Sequence, residues 1–420
     1  MLAYGVIRDQ EVLVANDNPI ATRFASVACY DDAVSGATGT NAGPRQFGPY
    51  LLHEQLGRGG MAMVHRAESR NPDSFGCPVA LKCLLADNEF DTDFELVRSF
   101  VEEARLATRL HHPNIARTYS LGKFEGTYYI AMEYVPGPTL LQVAHRCEIV
   151  GALPVPIVVH MLIQICDALD HVHNLCDDAG TRLGIIHRDV SLSNIIVSSS
   201  GVVKLIDFGI AKGHTTHART RDGTIKGKFG YVAPEYLAGR IDSRADLFAV
   251  GVIAHELITG RRLFQGHNDL DTIKRLRAMA VEPPSHWRPE VSPELDRVVM
   301  TALARDPDRR WQTASEIRAA LQDVLDELGA VDERDTRDWV DRAFNHPVGE
   351  RELAGALASL PEPTVAVDLA TQLVDDAPAE DEPTTVMHAE TTTETPLGLQ
   401  LLWLIALVLA TCLVFALRTL

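Results

Sequence analysis

The chain has 420 residues, enough for one large two-lobed domain or two ordinary ones plus tails. Apolar (46%) and charged (23%) contents are those of a globular protein, and a net charge of −18 with no basic stripe to offset it argues against nucleic acid as a partner. Seven cysteines, an odd number without a C-x-x-C pair, read as free thiols in a reducing compartment, and the 16 histidines show no metal-ligand spacing.

Met1 to Asp17 mixes apolar residues with Arg8, Asp9, Glu11 and Asp17, so no secretory leader is expected. Residues 1–46 are rich in turn formers, as in Asn-Asp-Asn-Pro and Asn-Ala-Gly-Pro, and read as disordered. Order is expected to begin near Phe47-Gly48-Pro49-Tyr50. Leu56 to Val64 contains Gly57, Gly59 and Gly60, where a backbone without Cβ atoms can approach phosphates. Val79-Ala80-Leu81-Lys82 reads as a strand carrying a lysine out of an apolar context, and Asn71 to Cys77 as a polar hairpin insertion. A helix follows with Glu102 and Glu103 side by side, and then His111-His112-Pro113-Asn114.

Tyr128 to Val135 is rich in β-formers and ends at Pro136-Gly137-Pro138. Pro154 to Asn174 carries the helical repeat Ile157, Met161, Ile165, Leu169, Val172, which predicts a long buried helix. Next come His187-Arg188-Asp189-Val190-Ser191-Leu192-Ser193-Asn194 and, thirteen residues on, Asp207-Phe208-Gly209 after a short apolar run. A threonine-bearing basic loop leads to Tyr231-Val232-Ala233-Pro234-Glu235, and Asp242 to Gly260 predicts a helix with a glycine C-cap. Asp332 to Leu360 can form one or two helices with a Trp339, Val340, Phe344 face.

From Pro361 to Pro396 there are nine acidic residues, eight threonines and no Lys or Arg, the composition of a self-repelling tether. Leu397 to Leu417 is uncharged, with Gln400 and Thr411 as its polar side chains. At 1.5 Å per residue it spans roughly 31 Å, enough to cross a hydrocarbon core. A buried core helix is the bland alternative, but a position after a polar linker favours a membrane span, with Arg418, Thr419 and Leu420 beyond it.

The His187–Asn194 segment and Asp207-Phe208-Gly209, in this order and spacing, resemble the catalytic loop and metal-binding turn of eukaryotic-type (Hanks-type) bacterial serine/threonine protein kinases, similar to those of myxobacteria. The resemblance covers roughly residues 48 to 325. It implies an α+β, two-lobed protein kinase fold over 47–325, with a β-rich N-lobe (47–135) and a helical C-lobe (136–325). Around it are a disordered segment 1–46, a helical extension 326–360, the linker 361–396 and a transmembrane helix 397–417. The implied cofactors are ATP and Mg²⁺, with Mn²⁺ possible. Leu56, Gly57, Gly59, Gly60, Val64 and Ala80, with the backbone of Glu133 and Val135, would bind the nucleotide, and Met132 would guard the back pocket. Lys82 would hold phosphates and pair with a helix glutamate. Glu103 is the choice, because the family's glutamate precedes a small residue on the inward face. Asp189 would accept the proton of the attacking hydroxyl, and Asn194 and Asp207 would hold the metal. Asp246 would brace the catalytic-loop backbone, and Arg309 would pair with Glu235.

Ala62 replaces the third glycine of the family's loop, and two departures sit at the centre. The family's lysine two residues after the catalytic Asp is Ser191 here, and its usual threonine before the Tyr-x-x-Pro-Glu segment is Lys228. These positions touch in the family, so Lys228 is expected to supply the missing cation. Arg188 marks the class whose activation loop is ordered by phosphorylation, with Thr220 and Thr224 as autophosphorylation candidates. The expected activity is ATP-dependent phosphorylation of protein Ser/Thr hydroxyls in bacterial signalling, at the inner membrane with the kinase domain cytoplasmic. Expected partners are protein substrates, the membrane through the C-terminal helix, and a phosphothreonine-binding protein or a second kinase copy. The competing class is an ATP-binding pseudokinase acting as a tethered scaffold. A small-molecule phosphotransferase is disfavoured by the Tyr-x-x-Pro-Glu platform.

Overall fold

The computed structural model describes residues 10–13, 43–85, 94–208, 229–239 and 241–345. Gly209, Thr220, Thr224, Lys228, the linker 361–396 and the apolar segment 397–417 lie outside these residues.

The first lobe is built on an antiparallel sheet of β1 (Gln10–Leu13), β2 (Arg45–Phe47), β3 (Tyr50–Arg58), β4 (Ala62–Ser69), β5 (Pro78–Leu84), β6 (Thr118–Phe124) and β7 (Thr127–Glu133). Their spatial order is β1-β6-β7-β5-β4-β3-β2. Alternation along β3 and β4 buries Tyr50, Leu52 and Ala67 against Val79, Leu81 and Tyr129. On the opposite face α1 (Phe94–Ala107) buries Phe100 and Ala104 against Leu84, Leu121 and Ile130. Residues 1–46 correct an expectation. Instead of being disordered throughout, they contribute β1 and most of β2. Gln10 to Leu13 pair with Phe124 to Leu121, which covers an otherwise open sheet edge.

The second lobe is helical: α2 (Leu140–Val150), α3 (Val155–His173), α4 (Arg244–Thr259), α5 (Asp269–Ala278), α6 (Pro293–Ala302), α7 (Ala314–Leu328) and α8 (Glu333–Asn345). Capping follows the sequence closely. Thr139 with Gln142 and Thr313 with Glu316 form capping boxes, and Gly260 ends α4 in the left-handed region at φ +68°. Helix α3 is long and apolar enough to cross a membrane, but it is the core: Val158, Met161, Leu162, Ile165 and Leu169 are fully buried. A small hairpin, β8 (Ile195–Val197) with β9 (Val203–Leu205), projects from the segment after Asn194.

A second correction concerns Glu235. Its partner is Arg310, not Arg309. Arg310 Nη1 and Nη2 each lie 2.7 Å from a Glu235 carboxylate oxygen, whereas Arg309 is exposed and its nearest acid is Asp306 at 3.9 Å. The cause is a 3-10 turn over Pro307–Arg309, capped by Asp306, which turns Arg309 outward and Arg310 into the lobe.

Candidate active site

Lys82, Glu103 and Asp207 come from three separate elements and meet between the lobes. β5 presents Lys82, α1 presents Glu103, and Asp207 follows β9. Lys82 Nζ donates to Glu103 Oε1 at 2.7 Å and to Asp207 Oδ1 at 3.0 Å. Burial alone would depress this ammonium. The carboxylates of Asp207 and Glu103 outweigh it and raise its pKa above the usual lysine range, so it stays charged. Glu102, one residue away, points outward and pairs with Arg98.

The segment His187–Asn194 is held from beneath by α4. The backbone N–H groups of His187 and Arg188 donate to the two oxygens of Asp246, at 2.8 and 2.9 Å, and His173 Nε2 lies 2.9 Å from the same carboxylate. Burial would raise the pKa of Asp246, but His173, His187 and these donors hold it below the usual range. Arg188 (φ +64°) and Asp207 (φ +54°) occupy the left-handed region, a strained state that the surrounding bonds must impose. Asn194 Nδ2 donates both to the Asp189 carbonyl (2.9 Å) and to Asp189 Oδ2 (2.7 Å). Its amide oxygen is thereby turned away from Asp189.

Ser191 is buried, and its Oγ lies 3.1 Å from Ser193 Oγ, inside the loop. Lys228, its expected complement, lies outside the described residues, as do Thr220 and Thr224. Arg188 Nε is buried and has no hydrogen-bond partner among the described residues.

His187 is wholly buried, with its ring 4.6 Å from that of Phe208. Burial pushes its pKa below the usual histidine range despite Asp246, Asp189 and Asp207 nearby. His255 on α4 is depressed for the same reason. In the unfolded chain both take up protons as pH falls through about 6.5, while the folded chain resists. Stability from this source is complete above that pH and declines on acidification towards the folded pKa values. Stability should therefore fall on acidification through this range, by at most about 1.4 kcal/mol per pH unit for each group, read from denaturation midpoints between roughly pH 7.5 and 5.5. His187→Asn should remove one share of the slope.

In the glycine-rich turn, Gly59 N donates to the Ala62 carbonyl at 2.8 Å. A Cβ at Gly57 would meet nothing within 4 Å, and one at Gly59 would come no closer than 3.6 Å. Packing of the chain on itself therefore does not require these glycines, which suits a backbone that must admit a ligand. Leu56 and Gly60 are exposed, Val64 is half-buried, and Ala80 is buried opposite Met132. A cavity of about 20 Å³ lies behind Lys82, lined by Glu103, Thr118, Ile130, Met132 and Phe208. Glu133 N donates to the Arg117 carbonyl at 2.7 Å, and the Glu133 side chain pairs with Lys204 at 3.0 Å. Thr118 and Lys204 had no signal in the sequence, because each acquires its place only through strand pairing. A larger cavity of about 400 Å³ lies elsewhere, beside His112, Asp167 and His171, and contains none of these groups.

Among the described residues no cluster of three or more His, Cys, Asp or Glu side chains could hold a metal alone. A Mg²⁺ shared with phosphates and water needs only one or two protein oxygens, which Asn194 and Asp207 can offer.

The family model described as protein kinase domain matches residues 50–323. The tyrosine-protein kinase MasK of Myxococcus xanthus is 39% identical over 285 residues, covering 67% of this chain and 44% of the relative. The serine/threonine-protein kinase PknB of Mycolicibacterium smegmatis is 37% identical over 279 residues, covering 65% and 42%. The chain thus spans less than half the length of these curated relatives. Among solved structures, the PknI kinase domain of Mycobacterium tuberculosis aligns with a TM-score of 0.50 and 29% identity, over 68% of this chain and 99% of that domain. With its two lobes, its Lys82–Glu103–Asp207 cluster and this match, the chain belongs to the protein kinase family.

Proposed function

We propose that the chain is a serine/threonine protein kinase that transfers the γ-phosphoryl group of ATP to protein hydroxyls. The observation that carries this reading is the ion cluster in which Lys82 meets both Glu103 and Asp207. Such a lysine is charged and aimed, ready to hold phosphates without reorganisation. Bound Mg²⁺, or Mn²⁺ in its place, neutralises phosphate charge, and Asn194 and Asp207 are the residues to hold it. Asp189 orients the attacking hydroxyl and receives its proton, while Asn194 fixes the Asp189 carboxylate. The glycines of residues 57–60 cover the phosphates, with Leu56, Val64, Ala80, Glu133 and Val135 around the base. Catalysis of this kind is positioning and charge neutralisation.

Arg188 Nε, buried and without a hydrogen-bond partner among the described residues, supports a phosphorylated threonine, Thr220 or Thr224, as its partner. Lys228 supplies the cation absent at Ser191, so Lys228→Ala should lower turnover sharply with ATP affinity retained. Full turnover in that variant would sink the exchange. Residues 397–417 anchor the chain in the inner membrane, with the kinase on the cytoplasmic side, where ATP is found. The acidic threonine-rich linker offers sites for a phosphothreonine-binding partner, and a second kinase copy is a further partner for the lobes.

A pseudokinase is the second reading, favoured by Ser191, whose side chain is spent on its own loop. The test is label transfer from γ-labelled ATP with Mg²⁺ by the purified chain, followed by phosphoamino-acid analysis. Label on threonine or serine supports the proposal, and label on tyrosine alone would align the chain with its Myxococcus relative. ATP binding without label would establish the pseudokinase.

A further inference from the structure

Helix α8 lies beyond the family match, which ends at residue 323. Its inner face buries Thr336, Val340 and Ala343, and Trp339 and Phe344 pack on the helical-lobe core. It is held at both ends. Near its C-terminus Arg146 of α2 donates from Nε to the Ala343 carbonyl at 2.6 Å, with its guanidinium 5.9 Å from the Phe344 ring centre. Its first turn lies on the tip of the β8–β9 hairpin. There Gly201 has φ +89°, and a Cβ on it would stand 1.8 Å from the Glu333 carbonyl oxygen and 3.1 Å from Arg337 N. Helix and hairpin are thus in backbone-to-backbone contact, a closeness only glycine permits.

The hairpin connects the two residues assigned to the metal. β8 begins at Ile195, directly after Asn194, and β9 ends at Leu205, two residues before Asp207. The register pairs Ile195 with Leu205, and Ile206 N donates to the Asn194 carbonyl at 3.0 Å. With strands of three residues each, such a ribbon has little stability of its own. Its root is held by Leu205, whose N donates to the Asn114 carbonyl at 2.8 Å, and nearer the turn Gln164 Oε1 accepts from Val203 N at 2.9 Å and from Asn114 Nδ2 at 2.8 Å. Its tip is gripped by α8.

We propose that α8 is a positioning strap for the β8–β9 hairpin, and that its docking sets the spacing of Asn194 and Asp207 for Mg²⁺ and so governs the affinity of the site for metal. The metal assignment rests on the kinase reading above. Release of α8 from the lobe then loosens the metal site without touching a residue in it.

The test uses the full chain with Val340→Asp, which places a carboxylate in the buried face of α8, and with Arg146→Ala, which removes the outer tie. Amide hydrogen exchange without ligand reports residues 195–205 and 333–345, and titration of Mg²⁺ at fixed ATP reports metal affinity. Val340→Asp should expose both segments to exchange and weaken apparent Mg²⁺ affinity roughly tenfold or more, with metal-free ATP binding retained. Arg146→Ala should move the same two readouts in the same direction by less, and decides the matter if the first variant does not fold. Fast exchange at 333–345 with an unchanged hairpin and unchanged Mg²⁺ dependence would overturn the strap. A parent chain that binds Mg²⁺ and ATP yet transfers no phosphate would refute the kinase reading alone, since hairpin exchange and metal affinity still judge the strap.

Discussion

Asp189→Asn should lower phosphoryl transfer by roughly 10²–10⁴-fold while ATP binding and the melting temperature stay near those of the parent chain. The substitution is nearly isosteric, and an amide oxygen at position 189 can still accept from Asn194 Nδ2, which now lies 2.7 Å from Asp189 Oδ2. The loop stays braced as well, because the bonds from His187 and Arg188 to Asp246 do not involve the changed side chain. What disappears is the group that can take a proton. Single-turnover label transfer, with nucleotide binding followed by thermal shift, measures the two separately. Undiminished transfer would remove Asp189 from the proposed chemistry.

Arg310→Ala is expected to be the most destabilising single change in the helical lobe. The Arg310 side chain is fully buried and forms a two-point pair with Glu235. It also donates to the carbonyls of Ala304, Arg305 and Arg244 and lies 4.9 Å from the Phe248 ring centre. Removing it strands a mostly buried carboxylate and three carbonyl oxygens together. Breaking such a pair costs about 3–5 kcal/mol, enough to lower the melting temperature by roughly 10 °C in a domain of this size. Arg309→Ala, at the exposed neighbouring position, should stay within about 0.5 kcal/mol of the parent. Equal effects from the two changes would contradict the geometry around Glu235. Paired denaturant melts decide it.

Much of the architecture was legible because local rules and tertiary packing agree. The apolar repeat from Ile157 to Val172 became α3, the glycine at 260 ended α4, and the Trp339–Val340–Phe344 face became the inner side of α8. The choice between Glu102 and Glu103 turned on which side of a helix faces the sheet, a question that helical periodicity can address. Other features depend on events far away in the chain. Gln10 to Leu13 have no strong strand pattern and gain order from the free edge of β6, more than a hundred residues later. Arg309 and Arg310 are adjacent and chemically alike, and a single 3-10 turn decides which is buried. Glu133 was singled out for its backbone, yet its side chain also reaches Lys204 on β9, a pairing that exists only once the lobes have met.

Helix α3 has a consequence for the life of the protein in the cell. A 19-residue segment with the hydropathy of a membrane span sits at the centre of the helical lobe, and folding is what hides it. Until α4 and α7 have packed over it, a nascent chain presents this segment to chaperones and to the insertion machinery. Variants that weaken the lobe, Arg310→Ala among them, should therefore be lost as aggregates or degraded chain instead of persisting as folded protein. Their cellular abundance should fall more steeply than their specific activity.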